Sequence, residues 1–136
     1  MRWQKGLALA AAIALLSPAV TAAEWVLVGS TEGVQVLIDV ASPVRKGNIV
    51  KTWTKWVYPE PQFFDGEQYR SKRSRDWFNC ATREMKSSSV VFYDGGNLDG
   101  RVIHTYTWNP GSTEWMEVAP ESAGEYLLDF ACNSAP

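Results

Sequence analysis

Four cations crowd one short stretch of the chain, Arg70, Lys72, Arg73 and Arg75, and an indole, Trp77, follows closely. Guanidinium and ammonium groups beside an indole suit anionic partners, acidic proteins or sugars, through bidentate hydrogen bonds and cation–ring contact. In an extended strand, alternation sets Arg73, Arg75 and Trp77 on one face, with Lys72 and Phe78 on the other. The plainer origin of such charge is an edge strand that must not pair with other chains. Trp56 and Tyr58 form a second candidate group, sharing the face opposite Trp53. Seven Trp, five Tyr and five Phe are more than a small sheet with one covered face easily buries, and an exposed aromatic patch marks a contact surface. The alternative is that both faces are covered or that the domain forms a homodimer through them.

Other chemistry finds little support. The chain has one histidine, His104, inside a strand pattern, with no nucleophile elbow or zinc-binding helix motif around it. The carboxylate pairs Glu114/Glu117 and Glu121/Glu125 fall around turns and a helix start, where acids favour the helix dipole. Two isolated thiols and one imidazole make no recognisable ligand set. No catalytic residue, metal or other cofactor is therefore expected.

The positions of these residues depend on where the chain folds. Arg2 and Lys5 precede an apolar run from Gly6 to Val20, and Thr21-Ala22-Ala23 closes it with small residues. That is the secretory pattern, so residues 1–23 read as a cleavable signal peptide. The apolar run is shorter than the roughly 20 residues a membrane span requires. No membrane span is expected after cleavage, and no lipid-anchor Cys lies near the cleavage point. Residues 24–136 then read as a single domain in the periplasm, outside the cell or on its surface. Loss of Arg2 and Lys5 moves the formal net charge from −2 to −4. Export and a negative net charge both argue against a nucleic-acid partner. Cys80 and Cys132, an even count in an oxidising compartment, are expected to form a disulfide.

The pattern along this domain is mostly strand. Runs at 25–28 and 34–40 predict a hairpin, and β-branched and aromatic residues from Ile49 to Tyr58 predict another strand. Pro59, Pro61 and Gly66 predict a loop over 59–67. Strands follow at Gln68–Cys80, toward Tyr93, at Arg101–Trp108 and briefly near Trp115–Val118. Asn109-Pro110-Gly111-Ser112 predicts a type II turn. Ser122 and Glu125 match a capping box, with Glu125 reaching back to the Ser122 amide, ahead of a helix over Ala123–Ala131. The expected fold class is α+β: an antiparallel sheet of about six strands with one C-terminal helix packed on it and one disulfide.

The order of certain residues carries more. It runs Trp25; Asp39; Ser42, Arg45, Gly47 and Asn48; Val50 and Trp53; Phe78, Cys80 and Arg83; Tyr93 and Gly96; then Trp115, Val118, Pro120, Ser122, Glu125 and Cys132. In this order the chain resembles the surface-adhesin protein E family of proteobacteria over nearly all of residues 24–136. The resemblance implies the same sheet-and-helix architecture, an internal disulfide and a place in the envelope. Three functions stand as expectations. The first is a non-catalytic exported protein binding a protein or glycan, in the envelope or on a host surface, through Arg70, Lys72, Arg73, Arg75, Trp77, Trp56 and Tyr58. The second is a periplasmic inhibitor of a lysozyme or protease, inserting the 59–67 segment. The third is a structural or assembly accessory of the envelope.

Overall fold

A computed structural model describes residues 22–135. The expected signal peptide thus lies, but for its last two residues, outside the described residues. Eight strands form one antiparallel sheet: β1 (Trp25–Thr31), β2 (Val34–Asp39), β3 (Val44–Lys46), β4 (Ile49–Phe64), β5 (Glu67–Asn79), β6 (Glu84–Tyr93), β7 (Val102–Thr107) and β8 (Met116–Glu117). The main order is β1-β2-β4-β5-β6-β7, with β3 added to β4 and β8 to β6. One helix, α1 (Ala123–Ser134), ends the chain. The predicted fold class, disulfide and C-terminal helix all hold.

Two local readings change. The expected loop over 59–67 is continuous strand, turning only at Asp65-Gly66. Both turn residues have positive φ, 49° and 77°, which is the type I′ geometry of a two-residue hairpin. The prolines are tolerated because the ladder breaks around them. Val57 pairs with Ser71 and Gln62 with Tyr69, so Tyr58–Pro61 face Arg70 alone, and no β5 partner needs the N–H that proline lacks. Second, Pro110–Ser112 forms a 3-10 turn capped by the Asn109 side chain rather than a type II turn. Gly111 is not among the residues of positive φ that type II geometry requires.

The core lies between α1 and one sheet face. Ala123, Leu127, Leu128 and Ala131 recur at helical spacing and bury against Val36, Ile38, Val50 and Phe78. Full burial of a leucine contributes roughly 1.5–3 kcal/mol. The helix is held at both ends. Ser122 Oγ accepts from Glu125 N at 3.3 Å, while Glu125 Oε1 accepts from Glu121 N at 3.3 Å, one residue earlier than the box predicts. At the far end, Arg45 Nη1 donates to Cys132 O at 2.9 Å and Ala135 O at 3.2 Å. This places a cation where the helix dipole is negative and no basic residue stands in the last turn. Arg83 pairs with Glu125 at 3.5 Å and Asp129 at 3.0 Å. The Cys80–Cys132 disulfide joins the end of β5 to the last turn of α1 across 52 residues. In the loop-entropy account such a closure is worth roughly 4 kcal/mol.

Candidate functional site

Directly opposed residues of neighbouring strands share a face, so the register sorts the candidates. One row runs Val36, Trp56, Lys72, Phe92, His104 across β2, β4, β5, β6 and β7. The next runs Ile38, Thr54, Ser74, Val90, Tyr106. Both belong to the face that α1 covers, because Val36 and Ile38 are in its core. The opposite face carries Leu37, Lys55, Arg73, Val91 and Thr105 in one row and Trp53, Arg75 and Ser89 in another. Lys51, Trp77 and Lys86 form a third.

The predicted binding residues are thereby split. Arg73, Arg75 and Trp77 stand together on the face away from the helix, as alternation predicts. Lys72 and Trp56 lie on the helix side: Trp56 packs against the core and donates from Nε1 to Thr54 Oγ1 at 3.2 Å, and Lys72 Nζ sits 4.5 Å from its ring centre. Burial pulls the Lys72 ammonium below its ordinary value, partly offset by Asp76. Tyr58 meets Tyr69 edge-on at 5.5 Å, and burial, with Tyr69 beside it, pushes its phenol well up. Arg70 is exposed opposite the Tyr58–Pro61 break. The basic strand itself is not an edge: β5 lies between β4 and β6. Protection of a sheet edge therefore does not account for its charge.

The face away from the helix is built from cations laid on indoles. Arg73 and Arg75 place their guanidinium carbons 5.1 and 5.8 Å from the Trp53 ring centre. Lys51 Nζ is 3.9 Å and Lys86 Nζ 5.2 Å from Trp77, and Lys86 also lies 4.6 Å from Trp115. Contacts of this kind are worth roughly 0.5–1 kcal/mol each at exposed sites. The Trp77 Nε1–H is enclosed without a hydrogen-bond partner. Lys86 is also anchored, donating to Pro110 O at 2.7 Å. Among the described residues, no carboxylate comes within 4.0 Å of Lys51, Arg73 or Arg75. Trp53, Lys51, Lys86 and Trp115 do not stand out as site residues in the sequence, since joining them to Arg73–Trp77 requires the strand register.

Residues 94–101 fold over one end of this face. Ser71 Oγ donates to Gly95 O at 2.5 Å and accepts from Leu98 N at 2.9 Å, and Lys55 Nζ donates to Asn97 Oδ1. Lys55 is only 8% exposed. Burial lowers its ammonium from the ordinary value, with Asp99 opposing. It is thus closed off, while Arg73 remains exposed.

Elsewhere, Asp76 is buried on the helix side, accepting from Thr54 Oγ1 at 2.7 Å, Ser74 Oγ at 2.6 Å and Ser87 Oγ at 2.7 Å. His104 Nε2 lies 3.6 Å from Glu67 Oε2 beside Phe64 and Tyr106. No group of three or more His, Cys, Asp or Glu among the described residues could hold a metal ion. No described helix is long and apolar enough to cross a membrane.

Fold and face together define a class: a one-layer antiparallel sheet, covered on one side by a disulfide-bound terminal helix and carrying cations stacked on indoles on the other. The chain belongs to the surface-adhesin protein E family, whose sequence profile matches residues 25–133. Its fold is similar to that of protein E from non-typeable Haemophilus influenzae in its crystal structure, with a TM-score of 0.50 and 19% identity over 85% of this chain and 80% of that one. No curated protein matches the chain in sequence. The family expected from the order of residues is thus the family found.

Proposed function

We propose that this protein is a non-catalytic, exported member of the adhesin family that binds a macromolecule through the sheet face carrying Lys51, Trp53, Arg73, Arg75 and Trp77. The observation that carries this reading is the set of cations on indoles, unpaired with acids, in the middle of a sheet whose other face is already used for packing. Positive charge gathered there without a neutralising carboxylate suits an anionic partner. The signal-peptide pattern of residues 1–23 supports export to the periplasm or the cell surface. Beads coated with oxidised protein should adhere to decellularised matrix or to isolated envelope. The charge-reversed variant R73E/R75E should stay folded, melting within about 8 °C of the parent because it gives up two weak cation–ring contacts, and lose most adhesion. Undiminished adhesion by the folded variant would overturn the assignment of this face.

A second reading has one observation in its favour. Phe63, at the tip of the β4–β5 hairpin, is 72% exposed, as a residue inserted into an enzyme cleft would be. An inhibitor of this kind would block a lysozyme or a protease at micromolar concentration and lose that effect in F63A. Absence of inhibition removes the reading.

A further inference from the structure

The geometry of the proposed binding face narrows the class of partner, and the inference of that class rests on the binding reading itself. We infer that the face binds a polyanionic polysaccharide, a sugar chain bearing sulfate or carboxylate groups at short intervals. Three features favour this chemistry over the alternatives.

The first is the state of the rings. Trp53 lies against Arg73 and Arg75, and Trp77 against Lys51 and Lys86. Nucleobases and neutral sugars need bare aromatic faces on which to stack. Here cations lie on the ring faces, and Arg73, the most exposed of them, stands free of any acid among the described residues. The rings act as supports that hold the cations in place, so little side-chain freedom remains to be lost when an anion arrives.

The second is the spacing. Arg73 and Arg75 are two residues apart on β5, roughly 6.5 Å along the strand, and Lys51 lies on the adjacent β4, roughly 4.8 Å across. Directly opposed pairs Lys51↔Trp77 and Trp53↔Arg75 set this array obliquely over two strands. A chain bearing regularly repeated anions can meet several of these charges at once, and guanidinium groups match planar carboxylate and tetrahedral sulfate oxygens with paired N–H donors.

The third is what the face does not offer. An acidic peptide lying across a sheet face gains no main-chain partners, since the donors and acceptors of β4, β5 and β6 are spent on one another, and its own amides would be left unsatisfied. A charged sugar chain carries its polar groups on ring substituents and has no such requirement. Of the sheet edges, where peptides can add as strands, β1 and β7 lie away from the cations, and β3 and β8, which border them, are only 3 and 2 residues long.

The test uses the oxidised protein and heparin as the sulfated probe, with desulfated heparin, dextran and poly-glutamate as comparison polymers, read by tryptophan fluorescence and by titration calorimetry. Heparin should bind and perturb indole emission, desulfated heparin should bind at least tenfold more weakly, and dextran should not bind. Log affinity should fall with log salt with a slope of roughly −2 to −3, from the release of one counterion or slightly less per cation engaged. The R73Q/R75Q variant should lose most of that slope and at least tenfold in affinity while staying folded, its melting temperature falling by no more than about 8 °C; R70Q, off this array, should change affinity less than twofold. Heparin binding undiminished in R73Q/R75Q, or no heparin binding at low salt, overturns the inference. Poly-glutamate bound as tightly as heparin also overturns it in favour of an acidic protein, and dextran bound as tightly overturns it in favour of a neutral sugar. These failures remain separate from that of the parent reading. If heparin fails while matrix adhesion is still lost in R73E/R75E, the face stands and only the partner class falls; if adhesion also survives, both fall.

Discussion

The two faces of the sheet are made by the same strands and obey opposite rules. On the helix side, the buried Asp76 accepts from three hydroxyls and Thr54 also receives the Trp56 indole, with Lys72 on Trp56 and the unpartnered His104 Nε2 as the exceptions. Apolar side chains there close against Leu127 and Leu128. On the other side, cations are left without acids and lie on indoles. Neighbouring residues along β5 alternate between these regimes, Arg73 and Arg75 outward, Ser74 and Asp76 inward. Stability and charge presentation are therefore assigned to alternate positions of one strand, and changes to one set should leave the other nearly untouched. The residues on which the family resemblance rests divide in the same way: Arg45, Cys80, Arg83, Ser122, Glu125 and Cys132 clamp the helix, while Trp53 and Trp115 support cations on the far face.

The sharpest way to break this division is through the clamp. Replacing both cysteines, C80S/C132S, should cost about 4 kcal/mol in denaturant unfolding, and heparin affinity measured below the transition should stay within threefold of the parent. Loss of binding in the still-folded variant would show that the faces are coupled. Next, D76A should cost about 2–3 kcal/mol, because three buried hydroxyls lose their acceptor, whereas its effect on binding should be small.

At the end of β2 the effect should depend on pH. Burial alone would raise the Asp39 carboxyl, but hydrogen bonds from Glu24 N, Ser42 Oγ and Ala41 N outweigh it and hold it below its ordinary 3.8. A lowered acid stabilises the fold in its ionised form, so the contribution is complete above the unfolded value and disappears as pH falls through the folded one. D39N should therefore cost about 1–2 kcal/mol at pH 7, and its deficit should shrink below pH 3.8. A deficit constant from pH 7 to 2 would deny the carboxylate this role. The smallest change should be R73Q/R75Q, about 1 kcal/mol from the loss of two cation–ring contacts; a loss above about 2 kcal/mol would mean that the cations hold the sheet together.

Much of this is legible in the residues alone. Period-two alternation places Arg73, Arg75 and Trp77 together, the cysteine pair ties the final helix to the basic strand, and Ser122 marks where that helix starts. What alternation does not supply is register. Asp65-Gly66 is a strong hairpin signal, but Pro59 and Pro61 weigh against strand on either side of it, and the sequence predicts a loop where the strands continue. With the turn at Asp65-Gly66, the pairing of Phe64 with Glu67 follows. The pairing of Trp53 with Arg75 still does not, because Tyr58–Pro61 facing Arg70 shifts it by three residues. A bulge of that size is not written in any propensity, so Lys51 and Trp53 stay separate, in sequence, from the cations they join. The interior position of β5 is hidden for a related reason: charge alone suggests an edge, and only the arrangement of both neighbours shows that these side chains project from the middle of a sheet.

The covalent loop closed by Cys80 and Cys132 has a mechanical consequence. When the chain is pulled in tension in its oxidised form, the sulfur bridge carries the load past β6, β7, β8 and most of α1. Pulled from the ends of the described region, such a chain can pay out only the residues outside the bridge, roughly 200 Å, against nearly twice that once reduced.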